Sequence, residues 1–190
     1  MKRAAETTLN LDRSASKARA ALGMDEALKA ITNQALAIQQ TALEALLDLL
    51  TEQKHCLQFF ELGGVLAIEK LLDNSSNGAI SAAAIKLLWH LRDYQAIRKT
   101  SLVKGILGEA LHGSIEVKQH IAELLSVLSR DAACATLLKN TITIVLLQNW
   151  LSYDDTTMVQ HVLSIFVNIQ TYAKTDIEFC TDGVYLICQN

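Results

Sequence analysis

At 190 residues the chain is long enough for one ordinary domain or for several units of a repeat array. Hydrophobic residues make up 51%, aromatics 5% and charged residues 19%, with no proline, a mix that suits packed helices and excludes a β-sandwich or a disordered tail. The net charge of −3 is too small to imply nucleic acid or a membrane surface as a partner, and neither is expected.

The charge is uneven along the chain. Residues 1–19 hold Lys2, Arg3, Arg13, Lys17 and Arg19 against Glu6 and Asp12, a net +3, which leaves −6 for the rest. A basic arm therefore precedes an acidic body, and is either a solvated terminus, the commoner case, or a segment that engages an acidic surface. No apolar h-region precedes residue 20, so no secretory signal is expected.

Residues 1–11 lack periodicity and are expected to be mobile or ordered by a partner. Short helices are predicted over Leu11–Gly23 and Met24–Ile31, then a long one over Leu36–Thr51. The next unit reads as a helix over Glu52–Phe60, a turn at Gly63-Gly64, a helix to Leu72, an Asn/Ser/Gly loop over Asp73–Gly78 and a long helix over Ile80–Asp93. A third has Tyr94–Leu102, a turn at Gly105, Ile106–Leu111 and a long helix over Ile115–Arg130. A fourth has Ala132–Lys139, Ile142–Leu151 and Thr156–Tyr172, and residues 174–188 begin a fifth that is not completed. The uncharged run Thr156–Ala173 keeps a helical stripe with Gln160, His161, Asn168 and Gln170, and reads as a core helix, not a membrane span.

The long helices repeat one pattern of slots at i, i+3, i+4 and i+7: Leu43, Leu46, Leu47, Leu50; Ala84, Leu87, Leu88, Leu91; Ile121, Leu124, Leu125, Leu128; Val162, Ile165, Phe166, Ile169. The last slots are spaced by 41, 37 and 41 residues, and all sixteen positions are apolar. At this composition that arises by chance roughly twice in 10⁵ trials. Gly64, Gly105 and Gly183 each lie 14 residues past a last slot, and Gly23 lies 41 before Gly64, which predicts a recurring turn with positive φ. Cys56 and Cys134 each fall six residues past a last slot, where Ile97 stands in the intervening unit, and are expected to be small core residues. With Cys180 and Cys188 they form no CxxC, so free thiols in a reducing, cytoplasmic setting are the expectation.

These residues resemble the armadillo repeat, with HEAT repeats as the near neighbour. The resemblance rests on Leu62-Gly-Gly-Val65, Lys70-Leu-Leu-Asp73 and the Ala-rich helix that ends in Leu88-Trp-His-Leu91; it covers residues 20–190 and is best over 42–93. Leu66 stands where the family often has proline. It implies an all-α, right-handed α-α superhelix, an armadillo-type solenoid of about four repeats plus an incomplete C-terminal one, with the arm at 1–19 outside it. One unit cannot bury enough surface alone, so neighbours share a core. The nearly all-apolar Val184–Cys188 would then be covered by a neighbouring subunit or by further chain.

No GxSxG, GxxxxGK[ST], HExxH or GxGxxG occurs, and no enzyme activity, cofactor or metal is expected. His120 and His161 occupy equivalent places, but lack the carboxylates or thiols at ligand spacing that a metal would need. The resemblance places the binding groove on the long helices, where the flanking candidates are Glu44, Asp48, Glu52, Trp89, Asp93, Ser126, Arg130 and Thr171. The three carboxylates two residues either side of a last slot, Asp48, Glu52 and Asp93, together with Trp89, suit an extended, basic segment of another protein. Importin-alpha-like receptors repeat a Trp with an Asn four residues later; here Trp89 is followed by Asp93 and the other units lack the Trp, so signal-peptide import is not expected. The implied function is a protein–protein adaptor, in a cytoskeletal, axonemal or ciliary assembly, or alternatively an armadillo-type co-factor that clamps the nucleotide-binding domain of a chaperone.

Overall fold

The computed structural model describes residues 22–33, 35–74, 77–141, 146 and 150–172; these are helices joined by turns, with no strand among them. The chain divides into two compact units, Met1–His90 and Leu91–Asn190. The first contains α1 (Met24–Ile31), α2 (Leu36–Leu49), α3 (Gln53–Glu61), α4 (Gly64–Asn74) and α5 (Gly78–His90). In the second, a 3₁₀ turn (Gln95–Ile97) leads into α6 (Thr100–Ala110), α7 (Ile115–Leu128), α8 (Ala132–Thr141) and α9 (Thr156–Tyr172). The all-α expectation holds over the described residues. Among them no helix is long and apolar enough to cross a membrane.

The slots are the core. Fifteen of the sixteen are buried, and Leu47 is half-buried. Within the first unit α2 packs on α5, its counterpart 41 residues on, and α1 packs on α4; within the second, α7 packs on α9. Each fully buried Leu or Ile contributes about 1.5–3 kcal/mol by leaving water. Cys56, Ile97 and Cys134 are all buried, as their shared offset predicts, and both thiols are free. Cys56 donates its Sγ–H to Leu50 O at 3.3 Å, and burial pushes the Cys134 thiol up to about 11.

A second repeated signal lies at the starts of the long helices. Asn77 Oδ1 accepts from Ala79 N and Ile80 N at 3.0 and 3.3 Å. Ser114 Oγ accepts from Val117 N at 3.4 Å, and Asp155 Oδ1 accepts from Thr157 N and Met158 N at 2.9 and 3.0 Å. Each cap stands 14 residues before a last slot, at the same 37- and 41-residue spacings. These side chains satisfy backbone donors that a helix start would otherwise leave unpaired. The first long helix is the exception: position 36 is Leu, and α2 starts after Ala35 without a side-chain cap.

The glycine expectation is corrected. Among the described residues the positive φ belongs to Gly63, at 75°, and position 63 has no glycine at its repeat equivalents. Gly64 opens α4, where an added Cβ would overlap the ring of buried Phe59. Gly23 precedes α1 with φ −72°, and Gly105 lies inside α6. The expected turn at Gly105 is replaced by one uninterrupted helix because Leu102, Val103, Ile106 and Ala110 share a buried face, whose packing outweighs the roughly 1 kcal/mol a helical glycine costs. The first helix of that unit is correspondingly reduced to the 3₁₀ turn. Gly108 also sits within α6, exposed and with open space at its Cβ position. Gly108→Ala is expected to raise stability by about 0.5–1 kcal/mol, seen as a higher urea midpoint; a lower one would contradict a continuous α6.

The predicted helix over Leu11–Gly23 (apart from its last two residues), most of Ile142–Leu151, the turn at Gly183 and residues 174–188 lie outside the described residues, as do Lys2, Arg3, Arg13, Lys17 and Arg19 of the basic arm.

Candidate functional site

In the first unit, Glu44 and Asp48 stand one helical turn apart on α2; Glu44 is half-buried and Asp48 exposed. Glu52 lies just past the helix, exposed, in the link that opens α3. Its carboxylate pairs with Lys54 Nζ at 2.7 Å, and hydrogen bonding and charge from Lys54 hold it below the usual carboxylate range. Trp89 is half-buried on α5, the helix packed on α2, with its ring centroid 5.2 Å from that of His90 and the planes 71° apart. Asp48 and Trp89 hold the same place relative to their slots, on two helices in contact.

The candidates of the second unit diverge in kind. Asp93 and Arg130 are exposed in the turns after α5 and α7. Thr171 is exposed near the end of α9, and its hydroxyl donates to Val167 O at 2.7 Å. Ser126 is only 3% exposed, so it is not a surface residue of a groove. Its hydroxyl donates to Glu123 O at 2.7 Å and lies 3.4 Å from His161 Nδ1.

Ser126 belongs instead to a polar seam between α7 and α9. Buried Ser129 donates Oγ–H to Ser126 O at 2.9 Å, while Asn168 Nδ2 donates to Ser126 O at 3.2 Å and to Ser129 Oγ at 2.9 Å. Farther along, Gln119 Nε2 donates to Asp155; that bond, followed by those from the Met158 and Thr157 backbone, holds the Asp155 carboxyl below its usual range. Lys118 Nζ stands 5.8 Å from the Tyr153 ring centroid and 3.4 Å from its hydroxyl. These directional bonds fix how α9 lies on α7, which apolar slots alone do less sharply. Asn168→Ala should cost about 1–2 kcal/mol in urea unfolding, because Ser129 Oγ and Ser126 O, both at buried residues, lose a half-buried donor. A change below about 0.5 kcal/mol would remove the seam from the fold's energetics.

Slot arithmetic missed Asn168 and Ser129. The signal available was an amide between Val167 and Ile169 inside an apolar helix, a residue that requires a partner once buried. His161 is bound into the seam, and among the described residues no group of three His, Cys, Asp or Glu side chains is placed to hold a metal ion.

No family model and no curated protein matches the chain. Among solved structures it is similar to an engineered protein whose crystal structure was a target of the Northeast Structural Genomics Consortium, with a TM-score of 0.64 at 18% identity, over 78% of this chain and 62% of that one. The likeness is one of fold alone, and the chain spans less than two thirds of that protein's length.

Proposed function

We propose that the chain is a non-enzymatic adaptor, an armadillo-type solenoid of about four repeats and part of another, whose long helices hold an extended segment of a second protein. The observation that supports this most is the packing of α2 on α5 and of α7 on α9 with fifteen of sixteen repeat-spaced slots turned inward. Stacked units of this kind leave their flanking positions along a surface, which is where such arrays bind. In the first unit those positions are exposed Asp48, exposed but Lys54-paired Glu52, and half-buried Trp89, a set that suits a Lys- or Arg-bearing segment through ion pairing and a cation–π contact. A subunit role in a cytoskeletal or axonemal assembly is the setting that fits an adaptor without chemistry of its own.

Pull-down from native extract, with mass spectrometry of what is retained, tests the reading. The double change Trp89→Ala with Asp48→Lys should reduce partner recovery about tenfold or more, the loss expected when a hot-spot aromatic and a charge are removed together. Undiminished recovery would place the interface on another face, and turnover of a small molecule by the purified chain would end the adaptor reading.

A further inference from the structure

The first unit also holds a cleft of about 530 Å³, within the range of ligand pockets, where the ends of α1 and α4 meet the starts of α2 and α5. Its floor is aliphatic: Ile31 and Leu71 are buried there, and Leu36, at the position where the other long helices carry a polar cap, is 52% exposed.

The rim carries carboxamides that are each tied at one end to the backbone. Asn33 Oδ1 accepts from Ala35 N at 2.9 Å, Gln39 Nε2 donates to Ile31 O at 3.1 Å, and Asn74 Nδ2 donates to Lys70 O at 2.7 Å. Tying one end orients each amide and leaves Asn33 Nδ2 as a donor and Gln39 Oε1 and Asn74 Oδ1 as acceptors. Lys70 supplies the single charge among the described lining residues; Glu69 and Asp73 of the same helix are not among them. None of the described lining residues is aromatic, so a nucleobase would find no stacking surface among them.

We infer that this cleft binds a short extended peptide, with an aliphatic side chain on Leu36 and Leu71 and a carboxylate at Lys70. Peptide groups present a donor and an acceptor at every residue, which matches a rim offering both. One positive charge and no carboxylate among the described lining residues select an acidic segment and disfavour a basic one. This occupant is opposite in charge to the segment proposed for the long-helix surface and uses other residues, so the two readings fail separately.

The test is NMR titration of the intact, isotope-labelled chain with acetyl-Gly-Leu-Asp-Gly-amide, with the same peptide carrying Lys in place of Asp, and with maltotriose. The Asp peptide should move the side-chain amide signals of Asn33, Gln39 and Asn74, and should bind about fivefold more tightly than the Lys peptide, the ratio an exposed ion pair supplies. Lys70→Glu changes an exposed side chain and should invert that preference with the helical circular dichroism unchanged. The inference is overturned if millimolar Asp peptide leaves those three amides unmoved, if the two peptides bind equally, or if maltotriose moves them and the peptide does not.

Discussion

Gly64→Val is expected to destabilise the first unit by about 1–3 kcal/mol, the range for overpacking a filled core. A Cβ at Gly64 would overlap the Phe59 ring, and Phe59 is itself 0% exposed with Val65 and Ile68 of α4 also buried. The ring can yield only by displacing other core atoms, and two further methyl groups make the conflict worse. Lys70→Val on the same helix, at an exposed position, should change stability by less than about 0.5 kcal/mol. Thermal melts of the two variants compare them directly. Equal melting temperatures would mean that α4 does not approach α3 as closely as the structure places it.

Leu125→Ala carries the larger effect, a loss of about 2–5 kcal/mol. Leu125 is 0% exposed on α7, the helix against which α9 packs and to which the seam of Ser126, Ser129 and Asn168 ties it, and its removal leaves a void in that core. Collapse into that void would require the seam to give up its bonds, so little relaxation is available and the cost should sit high in the range. Leu47→Ala is the matched comparison: same residue type, same kind of slot, but half-buried. Its cost should be the smaller of the two in urea unfolding. If Leu47 proves as costly as Leu125, burial is not what the slots supply.

The all-α character was legible in the sequence because its strongest signal is periodic and apolar. Leu50, Leu91, Leu128 and Ile169 are the last slots of four long-helix stripes, and a stripe at i, i+3, i+4 and i+7 has one economical solution, burial of that face. The helices over Met24–Ile31 and Thr156–Tyr172 were readable residue for residue. The glycines misled for a physical reason: residue type alone does not say whether glycine serves a positive φ, as at Gly63, a close approach, as at Gly64, or neither, as in α6. The caps at Asn77, Ser114 and Asp155 are equally periodic; the starts at Ile115 and Thr156 are those predicted, and the cap at Asn77 is the signal that would have moved the third from Ile80 to Gly78.

The candidate surface was less legible. Asp48 and Ser126 share one offset from their slots, yet Asp48 is exposed and Ser126 is 3% exposed and bonded to α9. An offset predicts which side of a helix a residue occupies; it does not predict how far a neighbouring helix reaches over that side. The half-committed amides around the cleft at Leu36 were invisible to the repeat pattern, because they come from helix ends and turns, where the apolar period stops.

Within each unit, long helices one repeat apart share their slots as a single core. Methyl–methyl nuclear Overhauser measurements on the intact, methyl-labelled chain test this directly. Cross-peaks are expected between the slot methyls of α2 (Leu43, Leu46) and those of α5 (Ala84, Leu87, Leu88), and between Ile121 or Leu125 of α7 and Val162 or Ile165 of α9. Slot methyls that contact only neighbours in their own helix, or that are as solvent-accessible as Val167, would contradict it.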